Sequence, residues 1–224
     1  MPTPRRRAPI RRRRSATATP TVLRDARIRL LESALDMFAE HGFDGATTRD
    51  IAAGAGVNLG LVQYYFGGKE RLWRAAVDHA FATLWAALET AGPGAAAGPD
   101  GPAETIRIAV RFAAGQPALV RLMNDEGKRE GPRLRWLVER HGRRLYAVAA
   151  GLTGAGAQGV LDGVAPVHLY YAFIGAAGLI FSQAAECRRL TGVDPTTSPA
   201  LIEAHAELVA RLFLGPAGRR TARR

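Results

Sequence analysis

The stretch TTRDIAAGAGVNLGLVQYYF, residues 47–66, decides the fold. Thr47 or Thr48 offers a hydroxyl to cap a short helix running to about Gly54, because a side-chain oxygen there accepts a first-turn N–H that has no partner inside the helix. Asp50 falls in that first turn, where the helix dipole favours an acid. Ala55-Gly56-Val57 makes a tight turn, and Asn58 caps a second short helix, Leu59 to Phe66. Two short helices joined by a glycine-bearing turn form the helix-turn-helix pattern. Ala52 and Ala55 are small enough for close packing, while Ile51, Val57 and Val62 supply the apolar contacts that hold the crossing angle.

This pattern aims one end of the second helix outward. Asn58, Leu59, Gly60 and Leu61, with Gln63 beside them, are placed to meet base edges in a DNA major groove. Gly60 costs about 1 kcal/mol of helix propensity relative to alanine, so it marks a point where something approaches the backbone closely. Tyr64, Tyr65 and Lys69 carry hydroxyls and an ammonium at positions suited to phosphate contacts, which fix docking without reading sequence. Plainer readings stand beside these: Tyr64 as a packing residue, Lys69 as a helix-surface lysine, and Arg49, in the first turn of the first short helix, as the cation of a surface ion pair.

Outward from this core motif the chain reads as helix almost throughout. Arg24 to His41 carries Ile28, Leu31, Ala34, Leu35 and Phe38 at three- and four-residue spacing and stops at Gly42. From Lys69 a long helix with Leu72, Val77, Ala80, Leu84 and Leu88 runs to about Thr90, and residues 92–102, built of glycine, proline and alanine, read as a flexible loop. Further helices are expected at 104–115, 117–125 and 132–150. Pro166 opens a segment that is apolar around most of its circumference, through Tyr170, Phe173, Ile174, Ala177, Ile180 and Phe181, and a last helix spans 200–214. A helix apolar on more than one face needs more than one partner. With no strand alternation, the fold class is all-α: a three-helix DNA-binding head at 23–68, a helical part at 69–214 to which the resemblance given below assigns regulation and dimerisation, an arginine-rich arm at 1–22 and a basic tail at 215–224.

Charge sharpens this division. The formal net charge is +11, yet Arg5, Arg6, Arg7, Arg11, Arg12, Arg13 and Arg14 lie in the arm and Arg219, Arg220, Arg223 and Arg224 in the tail, with no acid in either. The remaining chain holds 20 basic and 20 acidic residues and is formally neutral. The arm reads either as a DNA-contacting element or as a solvated tail. The five histidines are scattered and show no metal-ligand spacing, so an enzyme is not expected. The single cysteine and the lack of an apolar stretch after the basic N-terminus fit a cytoplasmic protein. The apolar run from Val164 to Phe181 is shorter than the ~20 residues of a membrane span, so no membrane partner is expected.

The run from Thr47 to Ala52, then Ala55-Gly56-Val57-Asn58, Gly60, Tyr64-Tyr65-Phe66, and Lys69-Glu70 with Leu72 resembles the DNA-binding domain of TetR/AcrR regulators, without insertion over about 45 residues. The resemblance implies a DNA-contacting set of Thr47, Thr48, Arg49, Asn58, Leu59, Gly60, Leu61, Gln63, Tyr64, Tyr65 and Lys69. Leu61 stands where a hydroxyl residue is common, Gln63 where an aromatic is, and Tyr65 where a histidine is, which leaves the operator sequence open. It also implies a homodimer through the last two long helices, with Phe173, Ile174, Ala177, Phe181, Leu201, Leu208 and Leu212 as interface residues, and therefore a palindromic double-stranded operator. A small-molecule effector is implied in the C-terminal part, without any further cofactor. Trp136, Tyr146, His168, Tyr171, Gln183 and Cys187 are the candidate pocket residues. A ligand-released repressor is the leading reading, with an activator of the same fold, or an architectural protein acting through its arginine tails, as alternatives.

Overall fold

A computed structural model describes residues 20–97, 101–154 and 163–215. The arm arginines and the last nine residues lie outside the described residues. The order is α1 (Pro20–Gly45), α2 (Thr48–Gly54), α3 (Gly60–Phe66), α4 (Lys69–Ala97), α5 (Gly101–Gly115), α6 (Pro117–Glu126), α7 (Pro132–Leu137), a π-helical turn (Val138–Gly142), α8 (Arg143–Gly154), α9 (Pro166–Ser182), α10 (Ala184–Thr191) and α11 (Pro199–Leu214). The described residues contain no strand, as expected for an all-α chain.

Helix α1 begins four residues before the expected Arg24, so its first turn takes in the end of the segment assigned to the arm. Gly42 takes φ 68° and ψ 174° and kinks it where the stripe was expected to stop. Of the residues expected as a loop, 92–97 and 101–102 are helical and 98–100 lie outside the described residues. Helix α4 continues through Gly92-Pro93-Gly94 to Ala97 and α5 starts at Gly101. The three alanines at 95–97 have the highest helix propensity, and Pro102 occupies the second position of α5, where its missing N–H would have no helical partner anyway. The segment expected as one helix over 132–150 is interrupted by the π-turn. The chain after Pro166 breaks at Gln183, where α10 turns 69° away from α9.

Two apolar cores organise the packing. The first joins Leu30, Leu31, Phe38, Ile51, Val62 and Phe66 of the head to Trp73, Val77 and Phe81 of α4, Leu119 and Leu122 of α6, and Leu137 of α7. The junction at Lys69 is thus a change of role in the sequence and no break in the packing. The second core joins Ile106 and Val110 of α5 to Phe173, Ala177 and Phe181 of α9 and Val209 of α11. Ion pairs between Arg107 and Glu207 and between Arg111 and Glu203 cross from α5 to α11. At their solvent-exposed positions they register the helices more than they stabilise them.

Phe173 and Phe181, expected at a subunit interface, are consumed by this second core, as is Ala177. Ile174 packs beside it. A helix apolar on all sides first satisfies its own chain. Among the residues that stay exposed, Ala172, Gly175 and Leu179 of α9 and Ala204, Leu208 and Leu212 of α11 form apolar rows. Leu201 is half-buried at the start of that α11 row. Among the described residues no single helix is long and apolar enough to cross a membrane.

Candidate functional site

The head is built from reciprocal caps. The Thr47 hydroxyl accepts from the Asp50 N–H at 3.1 Å and donates to the Asp50 carboxylate at 2.6 Å, which closes the first turn of α2. Gly56 takes φ 63°, a left-handed conformation that costs a glycine nothing and most other residues about 1–2 kcal/mol. Arg29 of α1 donates to the Ala55 carbonyl and Ser33 to the Ile51 carbonyl, fixing α2 and the turn on α1. Asn58 then accepts from the Gly60 N–H at 2.7 Å and starts α3. A Cβ at position 60 would lie 3.1 Å from the Asn58 amide oxygen, so a larger residue there would displace the Asn58 side chain by a few tenths of an ångström.

On α3 the inward face, Val62 and Phe66, is buried, while Asn58, Leu59, Gly60, Gln63 and Tyr64 are exposed, Tyr64 by 73%. Arg49 on α2 is also exposed and makes no ion pair among the described residues, so its charge is available. Thr47, Thr48, Leu59, Gln63 and Lys69 line one shallow cleft between α2, α3 and the start of α4.

Three members of the expected contact set have work inside the chain. The Tyr65 hydroxyl donates to the Leu23 carbonyl at 2.8 Å and ties α3 to the beginning of α1. Leu61 is half-buried against the first core, so packing accounts for it before any thymine methyl does. The Lys69 ammonium donates to the Asp44 carbonyl at 3.3 Å and sits 4.7 Å from the centre of the Phe43 ring. The charge of this head is balanced: from Leu23 to Trp73 there are six basic and seven acidic residues.

A second feature lies on the seam of the two cores. A cavity of about 360 Å³ is lined by Phe81 and Leu84 of α4, Phe112 of α5, Met123 and Asn124 of α6, Leu134 and Leu137 of α7, and Tyr170 and Ile174 of α9. Of the six residues expected to line a pocket, only Tyr171 does so. Trp136 packs edge-on to Trp73, 5.5 Å between ring centres, and under Arg74. Tyr146 lies against Tyr170 from the outside, His168 and Gln183 are exposed, and Cys187 pairs loosely with Thr191 on α10. Those residues were singled out for chemistry, whereas the cavity is made by helix faces. Of its polar lining residues, which also include Lys128 and Tyr171, Asn124 and Tyr170 carry one sequence signal: each interrupts an otherwise apolar helix face.

The π-turn contributes Val138 and Gly142 to the cavity wall, and single π-turns recur at functional sites. It also turns His141 inward, stacked on Phe81 with ring centres 4.1 Å apart. Trp85 Nε1, which can only donate, reaches His141 Nδ1 at 3.4 Å, so Nδ1 accepts and the proton sits on Nε2, which donates to Asp78 at 2.9 Å. This tautomer is neutral. Burial lowers the His141 pKa, opposed by Asp78 and reinforced by Arg140 and Arg144. A depressed native pKa stabilises the fold above the unfolded value of about 6.5, and that contribution is lost as pH falls from there toward the native pKa. The melting temperature is therefore expected to drop between neutral pH and about pH 5, and His141→Gln should flatten that part of the profile. An equal drop in the variant would assign the acid sensitivity to other groups.

Helix fold, capped head and seam cavity together define the class of a helix-turn-helix protein with an appended helical domain. Residues 30–76 match the model of the bacterial regulatory proteins, tetR family. The HTH-type transcriptional repressor Rv3405c of Mycobacterium tuberculosis is 39% identical over 74 residues, which are 33% of this chain and 39% of that protein. The HTH-type transcriptional regulator BetI of Burkholderia thailandensis is 37% identical over 84 residues, 38% of this chain and 42% of its own length. The matched segment thus spans about two fifths of these curated relatives. Among solved structures, SCO3833, a member of the TetR transcriptional regulator family from Streptomyces coelicolor A3, is 28% identical with a TM-score of 0.55, covering 83% of this chain and 89% of its own. FadR from Bacillus subtilis in complex with stearoyl-CoA shares the fold, with a TM-score of 0.58 at 17% identity over 84% of this chain and 98% of its own. Residues 30–76 thus match the DNA-binding domain of the tetR family.

Proposed function

We propose that this chain is a sequence-specific, DNA-binding transcriptional regulator that works as a homodimer on a palindromic operator and, as a repressor, is released by a small molecule. One observation carries the DNA reading. Helix α3 has its rear face locked by Val62 and Phe66 in the core, while Asn58, Gln63 and Tyr64, with the unpaired Arg49 of α2, face solvent together. A rigid helix presenting amide and hydroxyl groups at its N-terminal half is what base-edge reading requires.

Support for the dimer comes from the apolar row that α9 and α11 leave open, with Leu179 and Leu212 more than half exposed. A two-fold pairing of this face would repeat the recognition helices one DNA turn, ~34 Å, or a multiple apart. Support for ligand release comes from α7. Leu134 and Leu137 line the cavity, and Arg133, paired with Glu126, lies 4.2 Å from the centre of the same Phe43 ring that Lys69 covers. Trp136 of α7 meets Trp73. A ligand that binds better when α7 has moved would shift the head by exactly its difference in affinity for the two states and no more. The arm supplies the positive charge that the head lacks, on the count of arginines alone. An activator would use the same contacts at a different operator position.

Selection of bound sequences from random DNA tests this. The expected product is a two-fold symmetric sequence whose half-sites are one turn or a multiple apart. Enrichment of no sequence would contradict the reading, and enrichment of an unrepeated half-site would contradict the dimer.

A further inference from the structure

We infer that the seam cavity takes a small, uncharged, largely apolar molecule that accepts hydrogen bonds from Asn124 and Tyr170. This deepens the reading of the cavity as the effector site and rests on it. The size follows from the volume of about 360 Å³, near the lower end of the range for small-molecule sites.

The chemistry follows from what the wall offers. Phe112, Met123 and Ile174 present carbon. The one charged lining residue is Lys128, which is exposed and already paired with Asp125 at 2.6 Å. A carboxylate, phosphate or ammonium carried into the seam would leave water without a counter-charge, and an unpaired charge in apolar surroundings is strongly disfavoured. A neutral ligand loses little.

Besides the largely exposed Tyr171, two polar lining groups remain open. Neither the Asn124 amide nor the Tyr170 hydroxyl is hydrogen-bonded within the described residues, although both line the cavity. Burial raises the Tyr170 pKa, with Tyr171 adding to it, so the hydroxyl keeps its proton and can donate. The nearby His141 cannot serve, because both its nitrogens are engaged by Trp85 and Asp78. A hydroxyl, carbonyl or ether at one end of the ligand satisfies Tyr170, while the Asn124 amide both donates and accepts.

The test compares three probes of one length, decanol, decanoate and decylammonium, titrated calorimetrically into the full-length protein at neutral pH without DNA. Decanol is expected to bind at least tenfold more tightly than either ion. Equal or tighter binding of an ion, or binding of none of the three, would overturn the inference. Ile174→Trp, which fills the cavity from α9, should weaken decanol at least tenfold, and Ala109→Phe fills it from α5 should the first variant fail to fold. Retained affinity in a folded variant would place the decanol elsewhere and also overturn the inference. Because no operator is present, these outcomes are independent of whether the head reads DNA.

Discussion

Removing residues 1–19 is expected to weaken DNA binding by about a thousandfold at low salt and to flatten its salt dependence, while leaving operator preference unchanged. The reason is the location of charge. All seven arginines of the first 22 residues lie between Arg5 and Arg14, whereas the head from Leu23 to Trp73 carries one more acid than base. Each phosphate neutralised releases condensed counterions and contributes about 0.9 to the slope of log affinity against log salt. An arm whose arginines all engage phosphate accounts for a slope of about six per chain. Measuring affinity for operator and for bulk DNA across a salt series, with and without the arm, checks this. Both affinities should fall together, so their ratio holds. An unchanged slope would make residues 1–19 a solvated tail and require Arg49 and its neighbours to supply the electrostatic affinity alone.

The head was legible in the sequence because its determinants are local. Thr47, Gly56 and Asn58 each act within four residues, and the structure shows Thr47 capping α2, Gly56 in the left-handed turn and Asn58 closing the first turn of α3. Residues 92–97 were misread because glycine and proline outweighed the alanines beside them, while the preceding helix, packed against α1 and α5, had already borne the cost of nucleation.

The regulatory part was legible only as helices. Periodicity shows that α9 is apolar all round, but not which face meets its own chain. Phe173 and Phe181 went to the second core, and Leu208 and Leu212 remained outside. The cavity is harder still to read, because it belongs to no element. It is the mismatch between two cores, where Phe81 of one faces Phe173 of the other. Aromatic and polar residues such as Trp136 and His168 draw attention in a sequence, yet one is packing and the other is on the surface. Tyr65 and Lys69 teach the complementary lesson: groups that could clamp a phosphate also hold α3 and the loop before α2 in place. Their removal would therefore report on the head's geometry as well as on contact.

For that reason the second large effect is expected from residues with no such duty. Gln63 and Arg49 are exposed, and neither makes a hydrogen bond to another described residue. Their side chains can be truncated while the caps, the core and the Tyr65 tie remain intact. A side chain that reads a base edge contributes about 1–3 kcal/mol of discrimination, and a dimer applies it twice. Gln63→Ala is thus expected to lower the preference for the selected operator over bulk DNA by about thirtyfold, the square of the roughly fivefold that 1 kcal/mol represents. Arg49→Ala adds a loss common to both DNAs if it meets phosphate, and a loss of preference if it meets a base.

The account's central claim is that α3 reads sequence. Its most direct measurement is the ratio of operator to bulk-DNA affinity for the intact protein and for Gln63→Ala with the melting temperature unchanged. The account predicts that the ratio collapses while bulk binding persists. A ratio that survives in the folded variant would contradict it and move sequence recognition away from the exposed face of α3.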